Sequence, residues 1–217
     1  MSIKFNIEGK MFSGLSKIFD IVFLSVLWFI FCIPILTIGP ATTALYYTTV
    51  KVIRKDRGYV WKEFWYAFKT NFVTGLIYTI VLVVAIVGLY YGLTLTANSK
   101  DTILQIAHYT YIIASFLLAC LYVFFFPILS RFSLERLQLM RMSLFLSIRH
   151  LLTTVALLLI IFIGGFAVVM IYPLIFIVPG AVTFLCTLLI ERVFKKYQPK
   201  LEETTKEEEL KWYQTLW

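Results

Sequence analysis

The sequence predicts an all-α, polytopic transmembrane helical bundle of six membrane segments, joined by amphipathic connectors. Hydrophobic residues make up 60% of the 217 residues and charged residues only 15%, whereas soluble proteins average about 25% charged residues. The apolar residues are also contiguous, and a helix needs about 20 of them to cross about 30 Å of hydrocarbon. Four stretches are long enough and carry almost no ionised side chains: 18–38, 72–97, 103–129 and 151–190.

A turn after the first stretch predicts a second, short helix. Residues 34–40 read P-I-L-T-I-G-P. The residues predicted to form the turn motif are Pro34, Thr37, Gly39 and Pro40. Proline in the first turn of a helix costs no hydrogen bond, because the N–H group there has no partner within the helix. Pro40 therefore predicts the start of a returning helix over about residues 40–55.

The distribution of lysine and arginine predicts which connectors face the cytoplasm. The linkers 51–69 and 131–149 are strongly basic, whereas the connections 98–102 and 172–180 have a net charge of zero. With a basic N-terminus as well, this pattern predicts six segments with both termini in the cytoplasm. Five spans with the N-terminus outside are the alternative. The partner expected for the basic loops is a bilayer with anionic headgroups, and nucleic acid is not expected.

The first basic linker contains an aromatic stripe. Trp61, Phe64, Trp65 and Phe68 recur with the period of one helix face, and lysines lie elsewhere on the same helix. An aromatic face beside lysines is typical of a helix that lies in the headgroup plane. In the alternative interpretation, the stripe packs onto the protein's own bundle.

The second basic linker, 131–149, lacks proline and glycine and predicts a helix on the cytoplasmic surface. An alternative role is docking of a partner protein, since an amphipathic helix is a common recognition element. The residues predicted to contact such a partner are Arg131, Arg136, Arg141 and Arg149.

The last apolar stretch is about twice as long as one span requires. Proline and glycine predict a break near 172–179, which gives spans of about 151–171 and 176–191. The pair Gly164-Gly165 permits either a close helix approach or a bend. We expect residues 1–197 to form a single transmembrane domain and residues 198–217 a charged cytoplasmic tail.

The sequence does not predict an enzyme. The apolar segments contain no carboxylate pair, no metal-ligand spacing and no nucleophile with a base, so neither a metal nor another cofactor is expected. The hydroxyls of Thr42 and Thr43 follow the turn and are compatible with a solute site at a broken hairpin. The alternative is that these threonines bond the preceding carbonyls of their own helix.

The run Trp28–Tyr46, followed by Phe64-Trp65, Phe68–Phe72, Arg131-Phe132 and Ser147–Leu151, resembles the YesL-like family of bacterial integral membrane proteins. That family is a domain of unknown function. Its members tend to occur near carbohydrate-uptake and polysaccharide-degradation systems.

The resemblance implies a protein of the bacterial cell membrane that is an accessory or assembly partner of an oligosaccharide importer. The permease or ATPase subunits of that importer would be its partners. A small-solute transporter or facilitator acting on its own is the alternative, and a homo-oligomer remains open. The resemblance assigns no catalytic residue.

Overall fold

The structure is a computed structural model that describes residues 2–97, 101–132, 134 and 136–204. Its side chains are described within 15–197, apart from the gaps at 98–100, 133 and 135–136. The elements of this part of the chain are all helical, which confirms the all-α part of the predicted fold class. The α-helices are α1 Ser2–Cys32, α2 Ile38–Thr48, α3 Val60–Thr70, α4 Phe72–Thr96, α5 Thr102–Arg131, α6 Arg136–Arg149, α7 Leu151–Met170 and α8 Val178–Thr204.

Both predicted interruptions occur where proline ends a helix. α1 ends before Pro34, and a short 3-10 turn, Ile35–Thr37, leads into α2. α2 continues through a π-helical segment, Thr49–Arg54, so a helix is present over the predicted range of about residues 40–55. A second 3-10 turn, Tyr172–Phe176, separates α7 from α8 and confirms the predicted break.

Four helices in the described part of the chain are long and apolar enough to cross a membrane. The apolar windows are Leu15–Cys32, Phe72–Thr96, Thr102–Arg131 and Leu151–Met170. α2 and its π-helical continuation are shorter than a span usually requires, and ionised residues occupy the second half of α8. The predicted count of six segments is therefore not confirmed by length and composition.

The helices pack as three neighbouring pairs, α1 with α2, α4 with α5, and α7 with α8. α3 packs along α2 and α6 packs on α5. Three helices meet at one end of the bundle, where the π-helical continuation of α2 ends at Arg54, α5 ends at Arg131 and α8 carries Glu191. We call this region the basic end. The predicted tail begins within α8, which continues to Thr204, and residues 205–217 lie outside the described residues.

Two buried clusters form the core, and the outer surface is apolar. One cluster joins α5, α6, α7 and α8 around residues such as Phe124 and Phe194, and the other joins α1, α2 and α3 around Leu24 and Phe64. Large apolar side chains such as Phe162 are exposed along the outside of the bundle. Apolar surface of this extent is typical of a protein embedded in lipid.

The orientation of α3 yields a stability prediction. The Phe64 ring is fully buried, whereas Trp61 on the same helix is 53% exposed. Truncation of a buried phenylalanine to alanine costs about 3–5 kcal/mol, because both transfer energy and packing are lost. We expect Phe64→Ala to lower the melting temperature in detergent well below that of Trp61→Ala. Equal melting temperatures for the two variants would contradict the assigned burial.

Candidate functional site

The end of α1 is closed by a threonine of the predicted turn. Thr37 Oγ1 lies 2.6 Å from the carbonyl oxygen of Phe31 and 2.7 Å from that of Pro34. Helix ends leave carbonyl groups without partners in the helix, and a nearby hydroxyl can satisfy them. Thr37 therefore has a structural role at this position.

The start of α2 is held against α4 by a contact between a glycine and a hydroxyl. The N–H of Gly39 donates to Thr79 Oγ1 at 3.0 Å, and the Thr79 hydroxyl donates to the Gly75 carbonyl at 2.7 Å. A Cβ atom on Gly39 would collide with Thr79 Oγ1, and one on Gly75 would lie 2.9 Å from the Pro40 nitrogen. Only small residues allow this helix crossing, which satisfies an N–H group that α2 itself leaves unpaired.

The start of α8 uses the same arrangement against α1. The N–H of Gly180 donates to Ser25 Oγ at 2.8 Å, and the Ser25 hydroxyl lies 2.8 Å from the Ile21 carbonyl oxygen. A Cβ atom on Gly180 would lie 2.6 Å from Ser25 Oγ. Hydropathy does not single out Ser25 or Thr79, although each is a hydroxyl residue within an apolar segment.

The threonines considered for a solute site have partners inside the protein. Thr43 Oγ1 donates to the Gly39 carbonyl at 2.9 Å, four residues earlier in the helix. Thr42 Oγ1 accepts a hydrogen bond from Trp28 Nε1 at 3.2 Å. Thr42 therefore links α2 to α1, while Thr43 makes the local bond that threonine commonly forms in helices.

The aromatic stripe of α3 divides between the core and the surface. Phe64 and Phe68 are buried and lie against Phe31, with ring centroids 5.4 and 4.9 Å from it. Trp61 and Trp65 are exposed and stack on each other, with ring centroids 6.2 Å apart. Because α3 packs along α2, the arrangement favours the interpretation in which the stripe packs onto the bundle.

A buried ion pair joins α5 to α8 at the basic end. Arg131 Nη1 lies 2.6 Å from Glu191 Oε1, and both residues are only 3% exposed. The Tyr46 hydroxyl donates to the same carboxylate oxygen at 3.0 Å, which adds α2 to the contact. A buried charge is tolerated when an opposite charge and hydrogen bonds compensate its lost hydration. These three side chains, which we call the polar cluster, tie three helices together.

The prediction that Arg131 contacts a partner protein is wrong. Its guanidinium is buried in the polar cluster and lies over the Phe194 ring, 5.1 Å from the ring centroid. Of the other three predicted arginines, Arg141 and Arg149 are exposed, whereas the side chain of Arg136 lies outside the described residues.

Further cations surround the polar cluster. Arg54 Nη1 donates to the Thr187 carbonyl at 3.0 Å, and Lys51 Nζ forms an ion pair with Glu63 at 2.7 Å that joins the end of α2 to α3. Burial lowers the pKa of Lys55, and the nearby Glu191 carboxylate opposes that change. The basic end therefore combines a buried, compensated charge pair with cations at its edge.

The helical fold and its four long apolar helices indicate a membrane protein. Residues 21–93 match a family model described as "Protein of unknown function, DUF624". The matched segment runs from α1 into α4, and it therefore includes the turn, α2, α3 and the contact between Gly39 and Thr79. No curated protein and no solved structure matches the chain.

The contact between Gly39 and Thr79 yields a second prediction. Gly39→Leu should reduce folded yield and melting temperature, because the new side chain must displace both Thr79 and the Gly75 backbone. Gly88→Leu is the matched control, since a Cβ atom on Gly88 would meet nothing within 4 Å. Equal yield and melting temperature of the two variants in detergent would mean that the crossing of α2 and α4 is not constrained.

The polar cluster yields a third prediction. Glu191→Gln removes the negative charge and leaves the Arg131 charge buried, which costs about 3–5 kcal/mol when one partner of a buried ion pair is lost. Asp56→Asn is the control, because the exposed ion pair between Asp56 and Lys17 is worth no more than about 1 kcal/mol. The measurement is the melting temperature in detergent.

A double variant separates the charge effect from packing. Combining Arg131→Met with Glu191→Leu removes both charges and should recover part of the stability that Glu191→Gln loses. If the double variant is no more stable than Glu191→Gln, burial of an unpaired charge is not the cause of the loss.

Proposed function

We propose that the protein is a non-enzymatic protein of the bacterial cell membrane, an accessory or assembly partner of an oligosaccharide uptake system. The proposal places it in the YesL-like family. In this proposal, six segments cross the membrane and both termini are cytoplasmic.

Contacts at the basic end support the six-segment topology. Lys17 near the start of the first apolar window forms an ion pair with Asp56 after α2, at 3.0 Å. His150 before α7 lies 3.1 Å from the Tyr197 hydroxyl on α8. The starts of the first apolar window and of α7 therefore lie beside the ends of the α2 continuation and of the apolar part of α8. Because lysine and arginine are enriched in cytoplasmic loops, the basic end would face the cytoplasm.

The observation that carries the partner proposal is the exposed cationic surface around the polar cluster. The exposed cations of this surface are Arg57, Lys62, Arg141, Arg149, Arg192, Lys195 and Lys196. They belong to α3, α6 and α8, which buried contacts anchor to the bundle, and to the loop before α3. Complementary charge steers association and fixes the register of a complex. A permease or ATPase subunit with an acidic surface would complement this arrangement.

The link to carbohydrate uptake rests on the resemblance of residues 28–72 to the YesL-like family.

The polar cluster supports a structural role for its two buried charges. In the described part of the chain, no group of three or more histidine, cysteine or acidic side chains has metal-binding geometry.

A small-solute facilitator is the second candidate function. It is favoured by the position of Thr42 and Trp28 on the wall of a cavity of about 590 Å³ within the bundle. In that case the purified protein alone would move the solute, and changes at Thr42 would alter the rate.

Charge reversal on α6 tests the proposed partner contact. The double variant Arg141→Glu and Arg149→Glu should lose co-purification of permease or ATPase subunits from native membranes in mild detergent, because it reverses the charge complementarity. The control, Arg141→Lys with Arg149→Lys, keeps the charges and should retain those subunits.

Two further measurements complete the test. The melting temperature of the reversed variant should stay close to that of the control, which separates partner loss from unfolding. Sugar flux into liposomes that contain only this protein would contradict the accessory role and support the facilitator.

A further inference from the structure

A cavity of about 590 Å³ lies between α1, α2, α5, α7 and α8. Its volume is within the range of about 300–1,000 Å³ that is typical of small-molecule sites. The residues around it are mainly aliphatic and aromatic, with Trp28 on one side and Leu158 and Ile190 on others.

The hydroxyl groups on the cavity wall have partners inside the protein. Tyr46 donates to Glu191, Tyr122 donates to the Tyr78 carbonyl at 3.2 Å, and Thr183 donates to the Pro179 carbonyl at 2.8 Å. A site for a polar solute needs several polar groups directed at the ligand. An apolar cavity instead excludes water and takes up apolar molecules. The wall therefore suits a hydrocarbon.

The cavity is long and follows the helices. Its lining extends along α8 from Val178 to Ile190 and along α7 from Leu158 to Val168. At 1.5 Å per residue these stretches are about 18 and 15 Å long. One leaflet contributes about 15 Å, half of the 30 Å hydrocarbon layer. The cavity lining thus follows α7 and α8 over a distance of about half the thickness of the hydrocarbon layer.

The adjacent glycines of α7 have different environments. A Cβ atom on Gly164 would collide with Val182 of α8, whereas one on Gly165 would meet nothing within 4 Å. α7 continues through both residues, so the pair is associated with a close approach and not with a break in the helix. Gly165 lines the cavity, and we expect a large side chain at this position to reduce its volume.

We propose that the cavity binds one acyl chain of a bilayer phospholipid, which is a bound component of the bundle. α5 and α7 form two of its walls and are long and apolar enough to cross the membrane. Lipid acyl chains would therefore surround the helices that form the cavity. An empty apolar cavity would forfeit the dispersion contacts that an acyl chain supplies. This proposal is independent of the accessory role, and it argues against a polar-solute path through the cavity.

The test compares phospholipid retained by the wild type, Gly165→Leu and Gly88→Leu after purification from bacterial membranes in mild detergent. Native mass spectrometry measures the bound lipid per chain. We expect the wild type and Gly88→Leu to retain one phospholipid and Gly165→Leu to lose it. Added phosphatidylglycerol should raise the melting temperature of the first two proteins and leave that of Gly165→Leu unchanged.

A second variant keeps the proposal testable if Gly165→Leu does not fold. Ala119→Phe reduces the cavity from the α5 wall and should also abolish lipid retention. Retention of phospholipid by either folded variant at the wild-type level would overturn the site, as would a wild-type protein without bound lipid. A polyprenyl phosphate or a free fatty acid in place of phospholipid would overturn the proposed source of the chain.

Discussion

The constraint on which this bundle depends is that backbone polar groups need partners where water is absent. Both 3-10 turns interrupt apolar sequence and leave N–H groups of the following helix without intrahelical acceptors. Thr79 and Ser25 supply those acceptors from neighbouring helices, at 3.0 and 2.8 Å. The hydroxyls can approach only because Gly39 and Gly180 have no side chain. Each turn is thereby tied to a specific neighbour, and this fixes where α2 and α8 pack.

The basic end solves a related problem with charge. The Arg131 guanidinium and the Glu191 carboxylate are buried together. The Tyr46 hydroxyl donates a hydrogen bond that replaces part of the hydration lost by the carboxylate. Neutral hydrogen bonds thus secure the starts of α2 and α8, and the polar cluster secures their later residues. The cations left at the edge of this end are exposed, so their role can differ from that of the buried pair.

The sequence predicted elements better than contacts between them. Hydropathy located α4, α5 and α7, and the prolines located both turns, because these features depend on local sequence. The pairing of Arg131 with Glu191 joins residues far apart in the chain, which hydropathy cannot detect. The aromatic period in α3 was real, but periodicity does not reveal which neighbours cover a helix. Packing along α2 buries Phe64 and leaves Trp61 exposed.

In the proposed topology, α2 and α8 return across the membrane, although length and composition alone do not identify them as spans. Single cysteines at positions 36, 57, 141 and 172, in a chain whose natural cysteines are replaced by alanine, can be labelled with an impermeant thiol reagent from either side. Leu36, Arg57, Arg141 and Tyr172 are all exposed. The account predicts that positions 36 and 172 react from outside and positions 57 and 141 from the cytoplasm. Labelling of positions 36 and 57 from the same side would contradict it.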